Sequence, residues 1–218
     1  MLKLYGYWRS SCSWRVRIAL HYKEINFQYI PVHLVRDGGE QFFEQHLRRN
    51  TFAQVPVLEV QRENQSHYLS QSLAIMEFLE EHFSNENHPS ILPIDPINRA
   101  YVRQLSEMIN SGIQPIQNLA VLKKIASLGE DKIAWARFWI QDGLEKVEQC
   151  ISQREDNPFM FGHTPTMADF CLLPQLYNAR RFKCNLENVP RLLEIEERCS
   201  NLPAFQKAHP DQQPDAQA

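Results

Sequence analysis

The stretch LKLYGYWRSSCSWRVRIAL, residues 2–20, decides the fold of the first part of the chain. It opens with side chains that alternate as in a short β-strand, and a polar turn follows at Arg9, Ser10 and Ser11. Beyond the turn, apolar side chains recur with the helical period on two faces. Because a helix that is apolar on two sides is buried between layers, this stretch predicts a strand, a turn and a buried helix.

The sequence up to about residue 84 continues to mix strands with helices. Apolar runs, polar turns and a serine at a helix start indicate a second strand, a short helix, a hairpin and a further helix. We predict these elements at 26–32, 40–47, 55–60 with 67–69, and 72–83. Residues 1–84 are therefore predicted to form one α/β domain.

The remainder of the chain shows almost only the helical period. A linker rich in proline and polar residues spans 85–96, and Asp95 and Pro96 have the residue types of a helix start. An all-helical domain is predicted over 97–210. The tail, 211–218, has no large apolar residue to anchor it, so we expect it to be flexible.

Some polar and aromatic residues of the helical domain are predicted to be structural. Thr166 and Asp169 match the capping box of a helix start, which accounts for Asp169 without a catalytic role. Trp135, Phe138 and Trp139 are expected to lie in the core rather than to stack on a ligand.

The composition of the 218 residues is that of a folded globular protein, with 43% hydrophobic and 22% charged residues. Because 23 Lys and Arg stand against 26 Asp and Glu and the basic residues are scattered, nucleic acid is not an expected partner. No apolar run is long enough to cross a membrane, and the start of the chain lacks the apolar core of a signal peptide. We therefore expect a cytoplasmic protein without membrane association.

The cysteine and histidine patterns exclude several kinds of site. The five cysteines are odd in number and widely spaced, which argues against a disulfide framework, a zinc ribbon and dithiol redox chemistry. The eight histidines lack the spacing of metal ligands, so no metal is expected. Any cysteine chemistry involves a single thiol.

Polar segments stand at two predicted helix starts and one predicted strand start. SSCS at 10–13 opens the first helix, QVP at 54–56 leads into the third strand, and QS at 71–72 opens the last helix of the α/β domain. A helix start stabilises anions and thiolates through its free N–H groups and its dipole, whereas serine there is also an ordinary helix cap. Capping explains each helix start singly, but together the segments would lie along one edge of the domain, which favours a ligand site.

The segment SSCSWRVRIAL, residues 10–20, resembles the signature of the zeta-class glutathione transferases, the maleylacetoacetate isomerases. The similarity continues in chain order over nearly the whole sequence. The further matching segments are DGGEQF at 37–42, QVP at 54–56, QSLAI at 71–75, GIQPIQNL at 112–119, TMAD at 166–169 and RFK at 181–183.

The resemblance implies a fold, a cofactor and a set of site residues. The fold is a thioredoxin-like N-terminal domain that binds glutathione, joined to an all-helical C-terminal domain for the second substrate, in a homodimer. Ser11 is expected to donate to the glutathione sulfur, and Ser10 and Cys12 are expected to support it as catalytic and glutathione-binding residues. The other implied glutathione contacts are Gln41, Val55, Gln71, Ser72, Gln114 and Asn118. Arg181 matches an arginine that faces the carboxylate of the small-molecule substrate in the family. Apart from the resemblance, Arg9 is a further candidate for binding that carboxylate or the negative charge formed on thiol addition.

The implied reaction is the glutathione-dependent cis–trans isomerisation of maleylacetoacetate to fumarylacetoacetate in tyrosine and phenylalanine breakdown. Two alternatives keep the thiol site, namely a maleylpyruvate isomerase and a transferase acting on α-haloacids. A glutathione-binding protein without turnover is the alternative from another class. Ala120, which lacks the hydroxyl of some relatives, and Arg180, a second arginine beside Arg181, leave the choice of second substrate open.

Overall fold

The computed structural model describes residues 1–83, 88–154 and 156–216. The chain divides into two compact units, Met1–Ser90 with Leu202–Ala218, and Ile91–Asn201. The predicted domain end at residue 84 and the first predicted linker residues, 85–87, lie outside the described residues. Among the described residues, no helix combines the length and the apolar character needed to span a bilayer.

The first unit is built on a mixed four-stranded sheet. Its strands are β1 (Leu2–Gly6), β2 (Phe27–Pro31), β3 (Val57–Arg62) and β4 (Gln65–Ser70), in the spatial order β2-β1-β3-β4. β1 pairs in parallel with β2 and antiparallel with β3, which in turn pairs antiparallel with β4. The hairpin turns at Glu63 and Asn64, whose φ values of 50° and 61° suit a two-residue turn that matches the twist of the strands.

Helices complete the order that the sequence predicts for this unit. They are α1 (Ser11–Tyr22), α2 (Glu44–Leu47) and α3 (Ser72–Phe83). The short helix predicted over 40–47 is interrupted, because Phe43 has extended backbone angles and separates a 3-10 turn at Glu40–Phe42 from α2. α1 is buried along nearly its whole length, from Ser13 to Leu20, as its two apolar faces require. The expected thioredoxin-like arrangement is confirmed.

The second unit contains only helices among its described residues, as predicted. They are α4 (Pro96–Asn110), α5 (Leu119–Ser127), α6 (Lys132–Ser152), α7 (Met167–Arg181) and α8 (Pro190–Ser200). Asp95 caps α4 by accepting a hydrogen bond from the Asn98 N–H at 2.9 Å. The capping box of Thr166 and Asp169 is present at the start of α7. Phe138 is exposed, so its prediction as a core residue is wrong.

The C-terminal segment departs from the predicted boundaries. α9 (Pro203–Ala208) and a 3-10 turn at Pro210–Gln212 belong to the first unit, whereas the sequence assigned residues up to 210 to the helical domain. The reason is that α9 buries Phe205 and Ala208 and packs against α1. The expectation of a flexible tail is wrong for 211–216, which the side chain of Asp215 holds in place. Residues 217 and 218 lie outside the described part of the chain.

Candidate functional site

The two consecutive serines in the turn between β1 and α1, Ser10 and Ser11, have different structural roles. Ser10 is the helix cap, since its hydroxyl accepts a hydrogen bond from the Ser13 N–H at 3.2 Å. Ser11 is the first residue of α1 and is buried, and Cys12 follows as a half-buried free thiol. The first turn of α1 contains no acidic residue, so the positive end of its dipole is not neutralised there. This helix start therefore suits an anionic ligand.

A buried arginine ties α1 to the start of α3. The Arg15 side chain is fully buried, and its Nη1 donates to the Ser72 hydroxyl at 3.3 Å. Ser72 is itself buried as the first residue of α3. Gln71 precedes it with a φ of 72°, in the left-handed region that residues other than glycine seldom adopt. The two predicted helix starts are thus linked by a side-chain bond.

The segment before β3 is fixed by two side chains, one in α2 and one just after α2 in the chain. His46 Nε2 and Asn50 Nδ2 each lie 3.0 Å from the Gln54 carbonyl oxygen. Because a carbonyl only accepts, Nε2 of His46 must carry the proton. Val55 lies outside the strand ladder, which starts at Val57, and the Val55-Pro56 peptide is cis. The backbone at Val55 is thereby held just before the start of β3, an inner strand of the sheet.

Contacts bring the predicted residues of the first unit together. The Gln71 side chain reaches the Gln54 side chain at 3.5 Å. Val55 belongs to a buried apolar cluster with Tyr5, Tyr7, Trp8, Val32 and Val57, and Leu34 packs against that cluster. Gln41 Nε2 donates to the Leu34 carbonyl at 3.4 Å, which joins Gln41 to the same region.

Gln41 presents a buried acceptor. The residue is buried, and its Oε1 has no hydrogen-bond partner among the described residues. Gly39 makes room for it, because a Cβ at Gly39 would lie 2.6 Å from Gln41 Nε2 and the φ of Gly39 is +109°. A buried acceptor without a donor is costly, and an amide N–H from a bound peptide-like ligand would remove that cost.

The remaining predicted residues have varied surroundings. The Arg9 guanidinium in the first unit lies 5.1 Å from the centre of the Trp8 ring. In the second unit, Gln114 begins a 3-10 turn, and Asn118 caps α5 by accepting from the Ala120 N–H at 3.2 Å. Arg181 is exposed at the end of α7, with its guanidinium 5.3 Å from the centre of the Phe182 ring. Asn118 thus has a structural task that its motif did not reveal.

Arg180 is explained by an ion pair. Its two terminal nitrogens bind both carboxylate oxygens of Glu196 on α8. A guanidinium engaged in this bidentate way is oriented toward its carboxylate. The presence of Arg180 beside Arg181 is therefore explained by this ion pair within the second unit.

Several groups that shape the site were missed by sequence reasoning. His46 and Asn50 carry no motif that marks them as partners of a carbonyl eight and four residues away. Arg17 is fully buried, and burial lowers its pKa to about 10, although Tyr29 and Asp215 act to raise it. Burial likewise raises the pKa of the Tyr29 hydroxyl. Only the fold reveals these contacts, because their partners are distant or are backbone atoms.

The described residues contain no group of three or more His, Cys, Asp or Glu side chains suited to a metal ion. The first unit contains a helix start, hydroxyl side chains in the first turn of that helix, a fixed backbone segment at Val55 before β3, and a buried acceptor at Gln41. A set of this kind can bind the negative charge of a small anionic ligand and accept a hydrogen bond from it.

Comparison with known proteins agrees with this chemistry. Residues 1–81 match the model of the glutathione S-transferase N-terminal domain. The maleylacetoacetate isomerase of Mus musculus is 44% identical over 215 residues, which cover 99% of this chain and 95% of that protein. The isomerase of Pseudomonas aeruginosa is 40% identical over 220 residues and covers 100% of both chains.

Solved structures give the same result. The crystal structure of maleylacetoacetate isomerase from Anaeromyxobacter dehalogenans with bound glutathione has a TM-score of 0.90 and 46% identity, and covers 100% of this chain and 98% of that one. A holo structure of a bacterial zeta-class maleylpyruvate isomerase has a TM-score of 0.90 at 34% identity, over 99% of this chain and 100% of that one. Full-length identity above 40% joined to the same fold shows that the chain belongs to the maleylacetoacetate isomerase family of zeta-class glutathione S-transferases.

Proposed function

We propose that this protein is a glutathione-dependent cis–trans isomerase that converts maleylacetoacetate to fumarylacetoacetate. The observation that carries the proposal is the start of α1, where Ser10 caps the helix and the buried Ser11 is the first helical residue. Its support is the similarity, over 99% of the chain, to a protein named maleylacetoacetate isomerase.

The candidate residues of the first unit contact different parts of glutathione. Ser11 donates to the sulfur, with Ser10 and Cys12 completing the turn around it. The backbone of Val55 pairs with the cysteinyl unit, and Gln71 and Ser72 at the start of α3 bind the γ-glutamyl end. Gln41 fits this role because its buried Oε1 lacks a partner in the described part of the chain and can accept from an amide N–H. Gln114 and Asn118 are the contacts proposed from the second unit.

Rotation about a carbon–carbon double bond requires that the bond be single for a moment. Bound glutathione supplies the thiolate that adds reversibly to the conjugated double bond and leaves after rotation, so it is not consumed. Lowering a thiol pKa from about 8.5 to about 6.5 raises its ionised fraction at pH 7 from about 3% to roughly 75%. Nucleophilicity falls roughly eightfold over the same change, so the net gain is only about threefold. Positioning by the chain must therefore supply most of the acceleration.

The second substrate is an acid, and two arginines are proposed to bind its carboxylates. Arg9 is half-buried beside Trp8, directly before the two serines. Arg181 falls within the matched segment at 181–183. Either guanidinium binds a carboxylate through paired hydrogen bonds, and a positive charge of this kind also stabilises the negative charge that develops on a substrate oxygen.

A maleylpyruvate isomerase is the second candidate. A maleylpyruvate isomerase of the zeta class matches this fold with a TM-score of 0.90, although its 34% identity is lower than that of the maleylacetoacetate isomerases. Both reactions use the same thiol site on a similar acid. The two are separated by comparing kcat/KM for the two substrates side by side.

Replacing the hydroxyl that faces the thiol tests the mechanism. Ser11→Ala should lower kcat for maleylacetoacetate by about threefold at pH 7 through the lost stabilisation of the thiolate, and by more where the hydroxyl also positions the sulfur. Ser10→Ala removes the helix cap and should cost about 1 kcal/mol of stability, so the free energy of unfolding of each variant is measured beside its rate. Rates are measured by following the isomerisation at saturating glutathione. Equal rates in wild type and Ser11→Ala would refute the role of Ser11.

Three further properties are proposed with the activity. The protein works in tyrosine and phenylalanine breakdown, is cytoplasmic, and is a homodimer. Support for a dimer comes from the first unit, where Phe42, Phe43 and Phe52 are exposed although they are large and apolar. Sedimentation measures the assembly state directly.

A further inference from the structure

The chain end after α9 is held against the first unit by its own bonds. Gln213 Nε2 donates to the carbonyls of Lys207 and His209, at 3.0 Å and 2.9 Å, and so closes the chain back on α9. Pro210, the residue directly after His209, is buried. These contacts fix the direction of the segment that follows, residues 214–216.

Asp215 places its carboxylate on the turn that precedes α1. Its Oδ2 accepts a hydrogen bond from the Trp8 backbone N–H at 3.0 Å and from the Tyr29 hydroxyl at 3.4 Å. Trp8 stands two residues before Ser10, in the turn between β1 and α1. The next residue, Ala216, packs against the apolar cluster that contains Trp8 and Val55. The chain end therefore touches the turn that carries the serines.

Arg17 holds the other polar groups of the same turn. Its guanidinium donates to the carbonyls of Tyr7 at 3.4 Å and Trp8 at 2.8 Å, and also to the Ala208 carbonyl at the end of α9 at 3.1 Å. Asp215 acts electrostatically on this buried cation. A buried cation needs a nearby negative charge and a full set of acceptors. The N–H and the C=O of Trp8 are thus both fixed by side chains linked to the C-terminal segment.

We propose that Asp215 is a positioning residue for glutathione binding, acting through the Trp8 N–H on the turn that carries Ser10 and Ser11. The proposal deepens the proposed function, on which it rests. The first N–H groups of α1 and the Ser11 hydroxyl can bind a sulfur atom only if this turn keeps one conformation. Loss of the Asp215 bond lets the turn leave that conformation, and apparent affinity falls with the populated fraction of the competent state.

The test measures the glutathione affinity of full-chain variants by isothermal titration calorimetry, in the absence of a second substrate. Asp215→Ala should weaken glutathione binding roughly tenfold. Asp215→Asn keeps an oxygen that can accept from the Trp8 N–H, so it should restore most of the affinity. Asp211→Ala is the control, because Asp211 is an exposed acid of the same segment whose carboxylate lies 3.6 Å from His209. Binding by this control should equal that of wild type.

Hydrogen exchange without glutathione provides a second measurement. The Trp8 amide should exchange about tenfold faster in Asp215→Ala than in wild type, because its acceptor is lost. The Tm should fall, because the buried Arg17 loses a nearby negative charge, but Asp215→Ala should stay folded at the titration temperature, and kcat at saturating glutathione should change less than twofold.

Each adverse outcome has a definite meaning. Equal glutathione affinity in wild type and Asp215→Ala would overturn the positioning role alone. Equal losses in Asp215→Ala and Asp211→Ala, or a fold that is lost in Asp215→Ala, would show that the segment is only structural and would also overturn it. A wild-type protein that binds no glutathione would overturn the proposed function together with this inference.

Discussion

At the scale of single residues, neighbouring groups of the same type have different tasks. Ser10 and Ser11 are adjacent, but only Ser10 caps the helix, through its bond to the Ser13 N–H. Arg180 and Arg181 are also adjacent, and Arg180 binds Glu196 with both terminal nitrogens. Pairs of this kind provide matched controls, because a substitution at either member makes the same chemical change in a different setting.

The arginine pair allows a test of substrate binding. Arg181→Ala should raise KM for maleylacetoacetate about tenfold, because a hydrogen-bonded carboxylate contact is worth roughly 1.5 kcal/mol or more. It should change KM for a neutral electrophile much less. Arg180→Ala breaks the pair with Glu196 and should leave both KM values nearly unchanged. Equal losses on acidic and neutral substrates in Arg181→Ala would contradict the assignment.

At the scale of elements, the site depends on how α2 fixes the segment before β3. Burial lowers the pKa of His46 below its ordinary value of 6.5, with the charge of Arg49 acting in the same direction and the bond to Gln54 opposing. The folded state thus keeps His46 neutral where the unfolded chain takes up a proton. The free energy of unfolding should fall as the pH drops below about 6.5, until the folded-state pKa is reached.

The variant His46→Gln isolates this contribution. Glutamine can still donate to the Gln54 carbonyl but does not titrate, so the variant should lose less stability than wild type between pH 7 and pH 5. His21, whose pKa is also lowered by burial, contributes equally in both proteins. Urea unfolding at the two pH values measures the difference. The same loss in both proteins would show that His46 is not the titrating group.

Hydrophobic periodicity and helix-capping residues predict the helices and strands well, but they predict long-range polar contacts poorly. The buried α1 and the start of α4 at Asp95 and Pro96 follow from local residue types and agree with the structure. The short helix at 40–47 was predicted as continuous, and no local signal marks the extended backbone at Phe43. The partners of the Gln54 carbonyl could not be predicted, because a backbone acceptor leaves no trace in the sequence.

At the scale of the whole molecule, the first boundary between the two units lies within the predicted linker at 85–96, but the second boundary does not follow a change in composition. The second unit ends at Asn201, and the segment from Leu202 returns to the first unit. Composition could not predict this return, because α9 is only six residues long and the contacts of Asp215 span about 200 positions. The turn that carries Ser10 and Ser11, two of the predicted glutathione contacts, is therefore bonded to Asp215, about 200 residues further along the chain.

In the proposed reaction, glutathione is a cofactor that is released unchanged at the end of each turnover. The most direct measurement is the isomerisation of maleylacetoacetate with glutathione at one-hundredth of the substrate concentration, with the free thiol measured before and after. We expect complete conversion to fumarylacetoacetate with the thiol recovered, and no enzymatic rate when glutathione is omitted. Loss of thiol in proportion to substrate, or an equal rate without glutathione, would contradict it.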